Sequence, residues 1–256
     1  MGFAREPRGQ ASLLNGLFGF CDLFRHVFAP DTSSIDPPDM LTPIELPSGL
    51  DSTEIPTEIH AMVHGVKQRI EAFQDRWDRP QIELFVAADY LHVYQTMRWV
   101  AESQMLNNSR FVEWGCGFAA ITWLAAAVGW DAIGIESEPE LIRQGEATLS
   151  DWQETLAAIP KSGPTPELVR GNFLPEGSET LAEDPTLPSL GHSIESAYSS
   201  IGLDVEDFGI IYSYPWPGED DFHEYVFHRY AAYGAVMVLF KGPNEMRVWR
   251  KTRGRS

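Results

Sequence analysis

Phe111-Val112-Glu113-Trp114-Gly115-Cys116-Gly117-Phe118-Ala119 is the stretch on which the fold turns. A short strand, Phe111–Trp114, delivers Glu113 to a pair of glycines. Gly115 and Gly117 let the chain reverse with positive φ and let a ligand approach the backbone closely. Small apolar residues then run from Ala119 to Val128 as a helix whose N-terminus lies beside the turn. The next strand, Asp131-Ala132-Ile133-Gly134-Ile135-Glu136, ends on an acid 21 residues after Gly115. A carboxylate at that place can accept both hydroxyls of a ribose. The segment therefore predicts a nucleoside-bearing cofactor at the carboxyl ends of the first two strands.

The alternation continues toward the C-terminus. Pro139–Leu156 reads as a helix with Pro in its first turn. Leu168-Val169-Arg170 is a third strand, 174–193 is loop-rich, and Ile194–Ile201 is a short helix. Phe208–Ser213 is a fourth strand, Asp220–Ala232 a helix and Ala235–Lys241 a strongly apolar fifth strand. Gly242-Pro243-Asn244 then turns the chain into Met246–Arg250, an antiparallel partner. Strands alternating with helices predict an α/β, Rossmann-like, mostly parallel sheet with helices on both faces over 109–256. Toward the N-terminus, helical periodicity over Thr57–Asp78 and Glu83–Leu106 predicts a helical cap region, 57–108. Residues 1–56 hold an amphipathic helix at Leu13–Phe20 and an arm rich in proline between Pro30 and Pro56.

Glu113-Trp114-Gly115-Cys116-Gly117-Phe118-Ala119 resembles the E/D-x-G-x-G-x-G/A motif of class I S-adenosylmethionine-dependent methyltransferases. Glu136 is similar to that family's ribose-binding acid, and Gly171-Asn172-Phe173 to its adenine-contacting segment. Ser213-Tyr214-Pro215-Trp216 is similar to the N/D/S-P-P-Y/F motif of its amino-group members, with Tyr214 where that motif has its first Pro. The resemblance implies S-adenosyl-L-methionine as cofactor, held by Glu113, Gly115, Cys116, Gly117, Glu136, Asn172 and Phe173. It implies that Ser213, Tyr214 and Trp216 act on the methyl acceptor, with Pro215 and Trp216 contacting it. Tyr90 and Tyr94, four residues apart on the helix before the first strand, read as core residues. Because such a helix covers the active site in many of these enzymes, they are also candidate substrate contacts. The family's sheet closes with a two-stranded antiparallel hairpin, but only one of its strands fits after Lys241. Either the sheet is short here or the N-terminal segment supplies the missing strand.

The formal net charge of −18 counts against a broadly basic nucleic-acid binder, so the acceptor is expected to be a small molecule or a protein side chain. The charge is uneven: 31–240 carries −24 and 241–256 carries +5. The basic end reads as a solvated, partly frayed tail. Two cysteines make neither a disulfide framework nor a metal quartet and suit a reducing compartment, the cytoplasm. No apolar run reaches the length of a membrane span.

Other chemistries weigh less. Cys116 has no neighbouring base in sequence and reads as a small turn residue. His60 and His64 share a helical face but have no third ligand, and His223 and His228 are five apart, too far around a helix to chelate together. Gly115-x-Gly117-x-x-Ala120 also satisfies the dinucleotide pattern of NAD(P)-dependent oxidoreductases, and Glu136 would serve either ribose. Glu113 before the turn, the helical region before the first strand and the aromatic-proline loop after the fourth favour the methyltransferase. A methyltransferase-like protein that binds without catalysis is the third reading.

Overall fold

The computed structural model describes residues 39–76, 86–178, 181, 195–242 and 245–254. The Leu13–Phe20 helix and most of the 174–193 loop lie outside these residues. So do the ends of three expected helices, at Asp78, Glu83 and Ile194.

The glycine turn joins β2 (Arg110–Trp114) to α3 (Ala120–Ala127), and β3 (Asp131–Glu136) follows as β2's parallel neighbour. Every residue of α3 is buried, because its alanines let the helix lie close on the sheet. That closeness also needs Gly134. A Cβ there would come within 2.7–2.8 Å of Thr122, Cys116 and Leu168 side-chain atoms.

The expected helix Pro139–Leu156 is broken into α4 (Pro139–Asp151) and α5 (Gln153–Ala158). The break is at Trp152, whose carbonyl accepts the indole N–H of Trp123 at 3.2 Å. Its ring fills the space over Gly65, where a Cβ would be 2.5 Å away. β4 (Glu167–Arg170) then pairs parallel with β3. The chain crosses back through α6 (Tyr198–Ile201) to β5 (Ile210–Ser213), on the other side of β2. It continues through α7 (Asp220–Tyr230) to β6 (Val236–Gly242).

α1 (Thr57–Gln74) and α2 (Tyr90–Glu102) pack with α3 on one sheet face, burying Met62, Val66, Val93, Met97 and Trp123. α2 starts seven residues later than the periodicity predicts, at the point where the Asp89 side chain accepts the His92 N–H and caps it. Side-chain alternation sends Glu113 and Tyr212 to this face and Trp114 and Ser213 to the opposite one, toward α6 and α7.

Two expectations about the chain ends change. β7 (Glu245–Arg253) is longer than predicted and antiparallel to β6, and β1 (Asp39–Pro43) pairs antiparallel on its far side, from Asp39 opposite Arg253 to Pro43 opposite Trp249. The sheet order is β1-β7-β6-β5-β2-β3-β4. The proline-rich segment thus contributes the seventh strand, and Pro43 is tolerated because β1 is an edge strand. The basic end is no frayed tail. Arg247 pairs with Glu224 at 3.4 Å and Glu245 at 3.1 Å, and the buried Lys251 donates to the Ala231 carbonyl at 2.8 Å. The Arg253 guanidinium lies 4.7 Å over the Tyr233 ring. Opposite charge and carbonyl partners let a strand with four cations, Arg247, Arg250, Lys251 and Arg253, sit inside the sheet.

No helix among the described residues is long and apolar enough to cross a membrane.

Candidate active site

Strand order reverses at β2, with β3 and β4 on one side and β5 on the other. Outside the carboxyl ends of strands at such a point lies the crevice where open α/β sheets bind ligands. A cavity of about 590 Å³ occupies it, within the range of small-molecule sites.

The β2–β3 side is built by backbone. Gly115 has φ +76, and a Cβ there would meet nothing within 4 Å, so the turn opens onto free space at the cavity wall. The Gly115 and Cys116 N–H groups both donate to the Ile135 carbonyl at 2.9 Å, which fixes the turn against β3. Glu136 ends β3 and lines the cavity. Its Oε2 accepts the Gly117 N–H and its Oε1 the Glu138 N–H, each at 2.9 Å. One carboxylate therefore ties the glycine turn to the next loop, with lone pairs left over. Burial pushes its pKa up, and the Glu138 and Gly117 N–H bonds pull it back.

Glu113 does not line the cavity. It is buried beneath the turn, and its Oε2 accepts both the Thr122 N–H at 2.8 Å and the Thr122 hydroxyl at 2.5 Å. It satisfies donors in the first turn of α3. Burial raises its pKa to about 8, despite the Thr122 bonds that lower it. Cys116 is likewise buried away from the cavity. Burial first, then the charges of Glu113 and Glu136, hold its thiol well above the usual range, so it is an inert turn residue.

Asn172 and Phe173 line the cavity from the end of β4. The Asn172 Oδ1 accepts the Leu174 N–H at 2.8 Å, and Asn172 bridges in parallel to Ser196. Phe173 stacks on Trp114 with centroids 4.7 Å apart, and the Trp114 indole donates to the Tyr198 hydroxyl at 2.9 Å.

Tyr214, Pro215 and Trp216 form the β5 wall, with Tyr214 edge-on to Phe240 at 4.8 Å. Ser213 is fully buried behind them, outside the cavity lining. Its Oγ is 2.7 Å from His223 Nδ1. Tyr90 and Tyr94 lie in the helical core on the other sheet face, and neither lines the cavity. Burial, then the charge of Glu113, raises the Tyr90 pKa.

Sequence reasoning missed several lining residues: Trp114, Glu138, Asp220, His223 and Lys241. Lys241 Nζ is 2.5 Å from Asp220 Oδ2. Burial works against the Asp220 charge, but the Lys241 bond and charge outweigh it and hold its carboxyl below the usual range. His223 is buried against Phe173 and Trp114, and burial lowers its pKa to about 3, so the ring is neutral at pH 7. The sequence signal for it was the short step from strand end to helix. A residue in the first turn of α7 faces back over the carboxyl end of β5.

Fold and site together define a Rossmann-like sheet with a cavity at its strand-order reversal, walled by the glycine turn and the acid that ends β3. No protein-family model matches the chain, and no curated protein does. Solved structures do align with it. An RNA methyltransferase of Salinibacter ruber in complex with S-adenosyl-L-homocysteine is 15% identical over 64% of this chain and 92% of its own, with a TM-score of 0.38. A methyltransferase of Podospora anserina bound to the same product is 10% identical over 91% and 73%, TM-score 0.42. A putative RNA methyltransferase of Pyrococcus horikoshii is 10% identical over 78% and 100%, TM-score 0.43. At TM-scores this low they decide nothing about what this chain does.

Proposed function

We propose that the chain is an S-adenosylmethionine-dependent methyltransferase. Its acceptor is a small molecule or a protein side chain, an amine being the class that the likeness at Ser213–Trp216 favours. The observation that carries this reading is Glu136. It is a buried carboxylate at the cavity wall, held by the N–H groups of Gly117 and Glu138 and carrying spare lone pairs suited to a pair of ribose hydroxyls.

The residues present fit this cofactor. The open backbone at Gly115 accommodates a close-lying chain, and Asn172 and Phe173 offer a polar edge and a flat face for a base. When bound, the cofactor supplies a methyl group on a sulfonium, whose positive charge suits an acidic protein. What the chain contributes is positioning. Glu136 orients the sugar, Glu113 and Cys116 support the turn from beneath, and Tyr214, Pro215 and Trp216 shield the transfer point from water and align the acceptor. The two cysteines and the acid surface suit the cytoplasm.

Calorimetry decides between the readings. S-adenosylhomocysteine is expected to bind and NADH is not; tight NADH binding alone would overturn the assignment in favour of an oxidoreductase. Mass spectrometry of a lysate incubated with labelled cofactor, with and without the protein, then identifies the acceptor. Binding without any labelled product would support the non-catalytic relative.

A further inference from the structure

His223 is one of the polar cavity residues that the sequence motifs do not absorb. Its ring is only 2% exposed and packs against Phe173 and Trp114, with centroids 4.8 and 5.9 Å away. Nδ1 is bonded to the Ser213 hydroxyl, whereas Nε2 is buried with no hydrogen-bond partner among the described residues.

Counting protons assigns the tautomer. A neutral imidazole carries one N–H and a serine one O–H. With the ring proton on Nδ1, the ring would donate to Ser213. The serine proton would then have no acceptor among the described residues, and Nε2 would be a second unmet group. With the ring proton on Nε2, the serine donates to Nδ1 and only Nε2–H is unmet. Each unmet buried group costs stability, so the second arrangement prevails. Ser213 itself is held in β5, which fixes the serine's position against the ring.

His223 lines the cavity, and a ligand atom with a lone pair would satisfy its unmet donor. The walls beside it are flat: Trp114, Phe173, Tyr214 and Trp216 all line the same space. His223 belongs to α7, behind β5. The cofactor contacts proposed above come from the glycine turn after β2 and the ends of β3 and β4, and Phe173, one of them, borders His223. We propose that His223 Nε2–H is a fixed hydrogen-bond donor of the methyl-acceptor subsite, set in that tautomer by Ser213. The subsite takes a planar ring system that presents a ring nitrogen or carbonyl oxygen to it. This rests on the reading of the cavity as a methyl-transfer site.

Quinoline and indole test it, being flat bicycles of similar size that offer a lone pair and an N–H respectively. Each is titrated by ligand-observed NMR into full-length protein saturated with S-adenosylhomocysteine. Quinoline is expected to bind about tenfold more tightly than indole, the ratio a single buried hydrogen bond supports. His223→Phe should bring the ratio near one, with both probes titrated at saturating S-adenosylhomocysteine so that any change in its affinity through the neighbouring Phe173 does not enter the ratio. Ser213→Ala should shrink the ratio too, because it frees the tautomer. A merely structural role would leave the ratio unmoved. The proposal is overturned by a preference for indole, by a ratio that survives His223→Phe, or by binding of neither probe. Ring ¹⁵N spectra of the wild-type protein decide it without any variant: a protonated Nδ1 with a bare Nε2 refutes it. If S-adenosylhomocysteine itself fails to bind, the proposed function falls, and the same titrations on the ligand-free protein still judge His223.

Discussion

At the β2–β3 end of the crevice, Glu136 has N–H donors on both oxygens and Glu113 has two donors on one. At the β5–α7 end, His223 Nε2 and both carboxylate oxygens of Glu219 are buried with no partner among the described residues. The first end is a finished cradle, made of backbone that the chain satisfies by itself. The second keeps polar capacity in reserve, which is costly in a folded protein unless a partner meets it. On the function proposed above, the first end would seat the cofactor and the second would meet the acceptor.

Four substitutions break or sharpen this contrast. The largest effect is expected at Trp114, which lies under both ends through its stack on Phe173 and its contact with His223. Trp114→Ala should cost about 3–5 kcal/mol of stability in denaturant unfolding, as for other large-to-small core changes. A cost below about 1 kcal/mol would mean that the two ends are mechanically separate.

Next is the finished end. Glu136→Ala removes a charged acceptor and should weaken S-adenosylhomocysteine binding by about 1–3 kcal/mol in calorimetry. Unchanged affinity in a folded variant would count heavily against the cofactor assignment. At the reserve end, Trp216→Ala should lower turnover about tenfold, roughly 1.4 kcal/mol, with near-normal cofactor affinity. Loss of cofactor binding instead would move Trp216 into the cofactor seat.

The smallest change in any one step is in pH dependence. The Glu113 pKa of about 8 lies above its ordinary 4.5, so the native state holds a proton there that the unfolded chain has released. Its contribution to stability is full below pH 4.5 and is lost as pH rises toward 8. His223 acts with the opposite sign between about 3 and its ordinary 6.5, where the native ring refuses a proton that the unfolded chain binds. Above pH 6.5 the His223 contribution is complete and Glu113 gives at most about 1.4 kcal/mol per pH unit for one proton, beside whatever Glu136 and Glu224, also raised by burial, add. Glu113→Gln should reduce the slope in unfolding measured from pH 6.5 to 8. An unchanged slope would place the titrating group elsewhere.

The contrast also explains what was legible in advance. The glycine turn and Glu136 were readable because their geometry is local: a strand, two glycines, a helix and the end of the next strand. Glu113 was found by the same pattern, but which way it faced was not. Strand alternation turns it under α3, to Thr122, and gives the cavity to Trp114 instead. Tyr90 and Tyr94 lie in the core, as their first reading has it; helical spacing alone puts two tyrosines on one face without saying what that face meets. His223 was passed over because its histidine spacing excluded a metal. Its partner Ser213 lies on a different element and is met only when α7 docks on β5.

The amino-acid sequence by itself determined the alternation of strands and helices, the parallel core of the sheet, the glycine turn and the acid that ends the second strand. Hydrophobic period, glycine placement and capping act within a few residues of one another, so the order of residues suffices. Only the tertiary structure decided that Asp39–Pro43 closes the sheet beside Glu245–Arg253, and that the cations of that last strand are paired within the fold. It alone brought the Ser213 hydroxyl to His223. These contacts join residues from separate elements, some about two hundred positions apart, and depend on how whole elements dock. No local pattern carries that information, because the energy that selects it comes from burial of one element against another.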